Sequence, residues 1–179
     1  VGVVGERGSG KTSFLHTLRR ELPDAYYKLE VVDPSSFESD MSALELFLAR
    51  MFQEYTKIRS QRSPSNGMYE SPRLHTLFRE VSSRLSEFRI DGSVYRTDNP
   101  SMEVLAHMVG LVEIGATLQD LCDEFLSYVN AVPNGERKDH LVMFIDDIDM
   151  IENEKAYQLL EDVRKFLSGR IVVVIAYRD

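Results

Sequence analysis

Apolar positions along the chain fall into two patterns, short unbroken runs and longer stretches at helical spacing. Val1 to Val4 forms an apolar run that predicts a short strand, and Phe14, Leu15, Leu18 and Leu22 share one face of a helix predicted over Lys11 to Leu22. Pro23-Asp24 ends that helix. Tyr26 to Val32 predicts a second strand, closed by Asp33-Pro34-Ser35, because a proline disfavours helix in the residue before it. Ser39-Asp40 is placed to cap a helix running to about Tyr55, with Leu44, Phe47, Leu48, Met51 and Phe52 at helical spacing.

The composition turns polar from Arg59 to Pro72, which reads as a loop, and Ser71-Pro72 opens a third helix with Leu74, Leu77, Phe78, Val81, Leu85 and Phe88 facing inward. Asp91-Gly92 closes it. Asn99-Pro100 starts another helix with Met102, Leu105, Met108, Val109 and Val112 along one side, and Thr117 caps the next, which buries Leu118, Leu121, Phe125, Leu126 and Val129. Asn134-Gly135 is a turn. Leu141 to Ile145 is continuously apolar, as a strand buried on both faces of a parallel sheet should be. Glu154 to Leu167 reads as helix, Ser168-Gly169 stops it, and Ile171 to Tyr177 is a fourth strand. This alternation predicts an α/β fold, a parallel sheet flanked by helices. The helical stretch from about 43 to 132 is too long for one crossover, so it reads as a helical insertion on one side of the sheet.

Composition narrows this picture. The 179 residues, 43% of them apolar, suit one soluble domain over 1–179 with a substantial core. No apolar run approaches the roughly 20 residues of a membrane span, and no secretory signal is visible. Cys122 is the only cysteine, which excludes an internal disulfide and a cysteine-based metal cluster and favours a reducing, cytoplasmic setting. The chain begins inside one strand and stops one residue after Arg178, which predicts a piece of a longer protein. A net charge of −8 argues against a surface that grips nucleic acid everywhere. Lys57 to Arg96 nevertheless holds eight basic residues (Lys57, Arg59, Arg62, Arg73, Arg79, Arg84, Arg89, Arg96) against four acidic ones. These are solvated helix faces or a contact for nucleic acid or another subunit.

Candidate chemistry begins at Gly5-Glu6-Arg7-Gly8-Ser9-Gly10-Lys11-Thr12, a match to G-x-x-x-x-G-K-[ST] between a strand and a helix. Gly5, Gly8 and Gly10 lack a Cβ, so the backbone can turn its N–H groups around phosphate oxygens. The helix beginning near Lys11 aims the positive end of its dipole at the same anion. Lys11 supplies charge to β- and γ-phosphates, the Thr12 hydroxyl is a magnesium ligand, and Ser13 lies where an α-phosphate would be met.

Leu141-Val142-Met143-Phe144-Ile145-Asp146-Asp147 is an apolar strand ending in two carboxylates and looks like a Walker B motif. Set beside the strand that feeds the loop, it gives Asp146 to the magnesium and Asp147 to the attacking water. Asp149 reads as a supporting group. The last strand ends at Tyr177-Arg178, where Arg178 is either a sensor of the γ-phosphate or an ordinary solvated arginine.

The loop, Asp33-Pro34 and Phe-Ile-Asp-Asp-Ile-Asp together resemble the AAA+/STAND/KAP group of additional-strand P-loop ATPases. Ile-Asp-Asp-hydrophobic-Asp is similar to the KAP family in particular, although Met150 stands where that family usually has arginine. The resemblance implies ATP and Mg2+ as ligands and hydrolysis coupled to assembly or conformational change. It also implies a homo-oligomer, effector domains or partners outside this segment, and service in bacterial phage defence. Asp147 stands where most AAA+ proteins have Glu, one methylene longer, which predicts slow turnover. The alternatives are a nucleic-acid-handling ATPase of the loader type and a scaffold that binds nucleotide without turnover. The guanine-reading Asn-Lys-x-Asp and the Leu-Ser-Gly-Gly-Gln of ABC transporters are both absent.

Overall fold

The computed structural model describes residues 1–36, 42–61, 71–91, 100–131, 136–167 and 169–178, without side chains at 36, 87–91 and 100–108. The expected caps and turns at Ser39-Asp40, Gly92, Asn99, Asn134-Gly135 and Ser168 lie outside the described residues, as do Arg62, Arg96 and Asp179. The elements run β1 (Gly2–Val4), α1 (Lys11–Glu21), β2 (Tyr26–Lys28), α2 (Ala43–Gln61), α3 (Pro72–Asp91), α4 (Pro100–Asn130), β3 (His140–Ile145), α5 (Asn153–Phe166) and β4 (Ile171–Tyr177). Single 3-10 turns occupy Pro34–Ser36 and Ile148–Met150.

The four strands form one parallel sheet in the order β1-β4-β3-β2. One expectation is corrected here: the strand ending at Asp146 does not adjoin the loop-feeding strand, because β4 lies between them. The reason is burial. Every residue of β3 from Leu141 to Ile145 is buried and most of β4 is too, so both need neighbours on either side, whereas β1 and β2 are three residues each and only partly covered. β3 and β4 pair from Leu141↔Ile171 to Ile145↔Ile175, and β1 joins only at the far end, from Gly2↔Ile175 to Val4↔Tyr177.

On one face of the sheet Val142, Phe144, Val174 and Ala176 enclose Leu15 of α1, with Val3, Leu18 and Leu22 at the margin. Leu15 is fully buried, so its truncation to Ala should cost about 2–5 kcal/mol. Phe14, expected on the same stripe, is instead 50% exposed, one residue and about 100° of helix away from Leu15. The alternate positions Leu141, Met143, Ile145, Ile171, Val173 and Ile175 are buried toward the opposite face. α2 and α5 pack against each other.

β2 is shorter than the expected Tyr26 to Val32, and pairing resumes at an isolated bridge between Val32 and Ile145. α2 starts from a capping box: the Ser42 hydroxyl accepts from the Glu45 N–H (3.2 Å) while the Glu45 carboxylate accepts from the Ser42 N–H (2.7 Å). The helix continues to Gln61, past the expected end. The Ser71 hydroxyl accepts from the Leu74 N–H at 3.2 Å, and Pro72 takes the first position of α3, where its missing donor costs nothing.

The two helices expected around Thr117 are one, the 31-residue α4. Thr117 does not cap; its hydroxyl donates to the Glu113 carbonyl at 2.9 Å, four residues back, which lets a polar side chain sit buried inside a helix. Contacts divide the chain into two compact units, Val1–Tyr69 with Leu126–Asp179, and Glu70–Phe125. The first holds the sheet. In the second, Leu74, Leu77, Phe78 and Val81 of α3 and Ile114, Leu118, Leu121, Cys122 and Phe125 of α4 are buried, and Arg84 ties Glu80 to Glu113.

Candidate active site

The turn from β1 into α1 is made by glycine. Gly8 (φ 80°) and Gly10 (φ 85°) adopt left-handed backbone, which a side chain would strain. Gly5 is favoured for a different reason: a Cβ there would stand 2.6 Å from the Ser9 hydroxyl, which would have to turn away. The Ser9 N–H donates to the Glu6 carbonyl at 3.1 Å and closes the loop. α1 has no side-chain cap, since its N-cap residue is Gly10, so its first-turn N–H groups are left for an anion. The Lys11 ammonium folds back over the loop, donating to the Gly5 carbonyl (2.8 Å) and the Glu6 carbonyl (3.1 Å). Glu6, Arg7, Gly8, Ser9, Gly10, Thr12 and Ser13 are all exposed. The result is an open cradle of donors with a cation at its centre.

Because the strands are parallel, the carboxyl ends of β1, β4 and β3 share one edge of the sheet, with Gly2, Ile175 and Ile145 in register. Ligands of open α/β sheets bind at such an edge. Asp146, one residue past β3, is 3% exposed; its N–H donates to the Val32 carbonyl (2.8 Å) and its Oδ1 accepts from the Asp147 N–H (3.0 Å). Asp147 has φ 50° and ψ 35°, the one non-glycine positive φ among the described residues. That left-handed conformation costs about 1 kcal/mol and recurs at functional sites. It swings the chain at once into the turn Ile148–Met150, closed by the Met150 N–H donating to the Asp147 carbonyl at 2.9 Å.

The Asp147 carboxyl is held above its usual range, first by burial and then by the charges of Asp146, Asp33 and Asp149, with Lys11 opposing them. The same side chain thus feels both the acidic cluster and the loop's ammonium. Asp149 is exposed. Crowded acids of this kind are relieved by a cation. Among the described residues no three His, Cys, Asp or Glu side chains converge as a metal cage. Magnesium does not need one, since it usually takes one or two protein oxygens and completes its octahedron with water and phosphate. An exposed loop of backbone donors with Lys11 folded over it, the Thr12 hydroxyl at the start of α1 and buried Asp146 past β3 fit a magnesium–nucleotide complex.

Arg178 is exposed just past β4 on this edge and makes no hydrogen bond or ion pair among the described residues. Tyr177 lies against β1, where a Cβ on Gly2 would stand 3.0 Å from its ring. Of the basic segment, Lys57 is paired with Glu30 (3.9 Å) and Glu54 (3.7 Å), Arg73 with Glu124, and Arg84 with Glu80 and Glu113. Asp33, which the sequence offers only as part of the family resemblance and with no role at the site, is the further member of the cluster. An acid directly after an apolar run was visible, but which strand ends lie side by side was not. No helix among the described residues is long and apolar enough to cross a membrane.

The family model described as the KAP family P-loop domain matches residues 1–179, the full length of the chain. No curated protein matches it.

Proposed function

The chain belongs to the KAP family of P-loop NTPases, and on that footing we propose that it binds ATP with magnesium at Gly5 to Thr12 and hydrolyses it. The observation that carries this reading is the meeting, on one sheet edge, of the Lys11 cradle with the Asp146-Asp147 strand end, close enough that Lys11 opposes the acids around Asp147. The loop N–H groups and the start of α1 take the phosphates, and Lys11 exchanges its contacts with the Gly5 and Glu6 carbonyls for phosphate oxygens. Thr12 and Asp146 would hold the magnesium, which when bound neutralises charge building on the transferred phosphate. Asp147, turned out of the strand by its left-handed backbone, orients the attacking water. Exposed Arg178 is available to a γ-phosphate on the same edge.

Turnover in this reading drives conformational change in a larger assembly. The helical unit Glu70–Phe125, which lies between the two motifs in sequence, is the natural element to respond. A scaffold that binds nucleotide without turnover would use the same loop, and the two readings part only over whether Asp147 activates water. The first test is binding of a fluorescent ATP analogue in the presence of magnesium. Wild type binds and Lys11→Ala loses roughly a hundredfold in affinity, the scale of a buried charge-assisted contact; equal binding by the two proteins would mean that the loop is not the nucleotide site.

A further inference from the structure

Asp33 lies outside the phosphate loop and the Asp146-Asp147 strand end, yet the chain after β2 is built in a way that delivers it to them. Lys28 pairs with Val142 and Val32 with Ile145, so the three residues after β2 (29–31) span the space of two on β3 (143 and 144). The excess residue is a bulge, the device by which strands near functional sites re-aim a side chain. An unbroken register would put Val31 opposite Ile145 and carry Asp33 past Asp146. With the bulge, Val32 takes that place and Asp33 comes level with Asp146.

The bulge is fastened rather than loose. The Arg19 Nε donates to the Leu29 carbonyl (3.0 Å) and the Arg50 Nη2 to the Val31 carbonyl (3.3 Å), while Arg19 also pairs with Glu30 at 2.7 Å. Leu29 and Val32, on either side of it, are fully buried. Arg19 sits on α1, the helix that begins at Lys11, so the phosphate loop and the bulge share a support. Past the bulge, the Val32 N–H donates to the Phe144 carbonyl and its own carbonyl accepts from the Asp146 N–H, both at 2.8 Å. The Asp33 carboxylate is then oriented by two donors from Ser35, the N–H (2.8 Å) and the hydroxyl (2.7 Å).

We infer that Asp33 is a positioning residue of the nucleotide site, whose carboxylate accepts a hydrogen bond from water in the shell of the divalent cation held at Asp146. This rests on the magnesium–ATP reading above. It acts through water, since no three acids converge on one metal position among the described residues.

Asp33→Asn isolates the charge, because the asparagine oxygen can still accept both Ser35 donors and keep the turn. The experiment is a magnesium chloride titration of mant-ATP binding to the full chain, with a parallel measurement in EDTA. In EDTA the variant should bind as well as wild type, while the magnesium concentration for half-maximal enhancement rises roughly tenfold, the scale of one unit charge removed near a divalent ion. A merely structural role would weaken binding equally with and without magnesium, and that result overturns the inference, as does an unchanged magnesium curve. If wild type binds no nucleotide at all, the ATP reading falls as well, so the two failures are distinguishable. Should Asp33→Asn melt well below wild type, Asp33→Ser, which can form the related hydroxyl turn, is put through the same titration: a raised magnesium requirement supports the inference and an unchanged one overturns it.

Discussion

The Lys11 ammonium donates to the carbonyl oxygen of Gly5 at 2.8 Å, so the cation of the loop is held in place by the residue that opens it. A Cβ at Gly5 would meet the Ser9 hydroxyl at 2.6 Å, so a side chain there forces Ser9 to move. Gly5→Ala should therefore displace the loop and weaken binding of an ATP analogue by about tenfold, a loss of roughly 1.4 kcal/mol. Ser9→Ala made on that background removes the colliding oxygen and should recover part of the loss. Isothermal titration of the two variants checks this, and no recovery in the double variant would show that the collision is not the cause.

Asp147 should trade stability for its role. Its carboxyl is raised in the folded state, so between its usual value and the raised one the native protein holds more protons than the unfolded chain. Stability thus falls as pH rises through that window and stays lower above it. Asp147→Asn removes the penalty and keeps a residue that tolerates left-handed backbone. It should melt at a higher temperature than wild type at pH 7, with the gap closing as pH falls below the usual carboxylate range. A gap that is absent at pH 7, or that does not change with pH, contradicts this.

Gly115 should be a weak point of α4. It is helical, it lies two residues before buried Thr117, and a Cβ there would meet nothing within 4 Å. Gly115→Ala should stabilise the protein by about 0.5–1 kcal/mol in urea denaturation, because alanine loses less backbone freedom on folding. A destabilised variant would mean that this stretch is not the continuous helix described.

Cys122 should be silent in the native protein. Burial first, and then neighbouring Asp123, push its thiol up to about 12. At pH 8 only about one molecule in ten thousand would carry the reactive thiolate. One thiol should titrate with Ellman's reagent in denaturant and none in native buffer over the same minutes. The slow native rate then reports opening of the unit Glu70–Phe125. Reaction at the rate of a free cysteine would show that unit to be open.

What the sequence displayed and what it hid divide along a physical line. Gly5, Gly10, Lys11 and Thr12 were legible because backbone geometry and phosphate chemistry restrict those positions to one or two residue types. β3 and β4 were legible because strands covered on both faces are apolar without interruption. Ser42 and Glu45 carried a cap signal in plain spacing, which the nearer-looking Ser39-Asp40 obscured. Other features depend on partners distant in the chain. The insertion of β4 between β1 and β3 and the bulge that brings Asp33 level with Asp146 are set by pairing across the sheet, and no local pattern encodes them. Thr117 shows the reverse: a residue type that favours caps suggests a boundary, but burial and a bond to the Glu113 carbonyl keep it inside one helix.

Hydrolysis at this sheet edge is tested by phosphate release from magnesium–ATP by wild type, Lys11→Ala and Asp147→Ala, with analogue binding measured alongside. Wild type should release phosphate slowly, Lys11→Ala should bind roughly a hundredfold more weakly and release none, and Asp147→Ala should bind as wild type does yet release at least a hundredfold less, the scale expected for losing a group that positions water. Undiminished release from Asp147→Ala, or binding without any release from wild type, would contradict the assignment of hydrolysis to this edge.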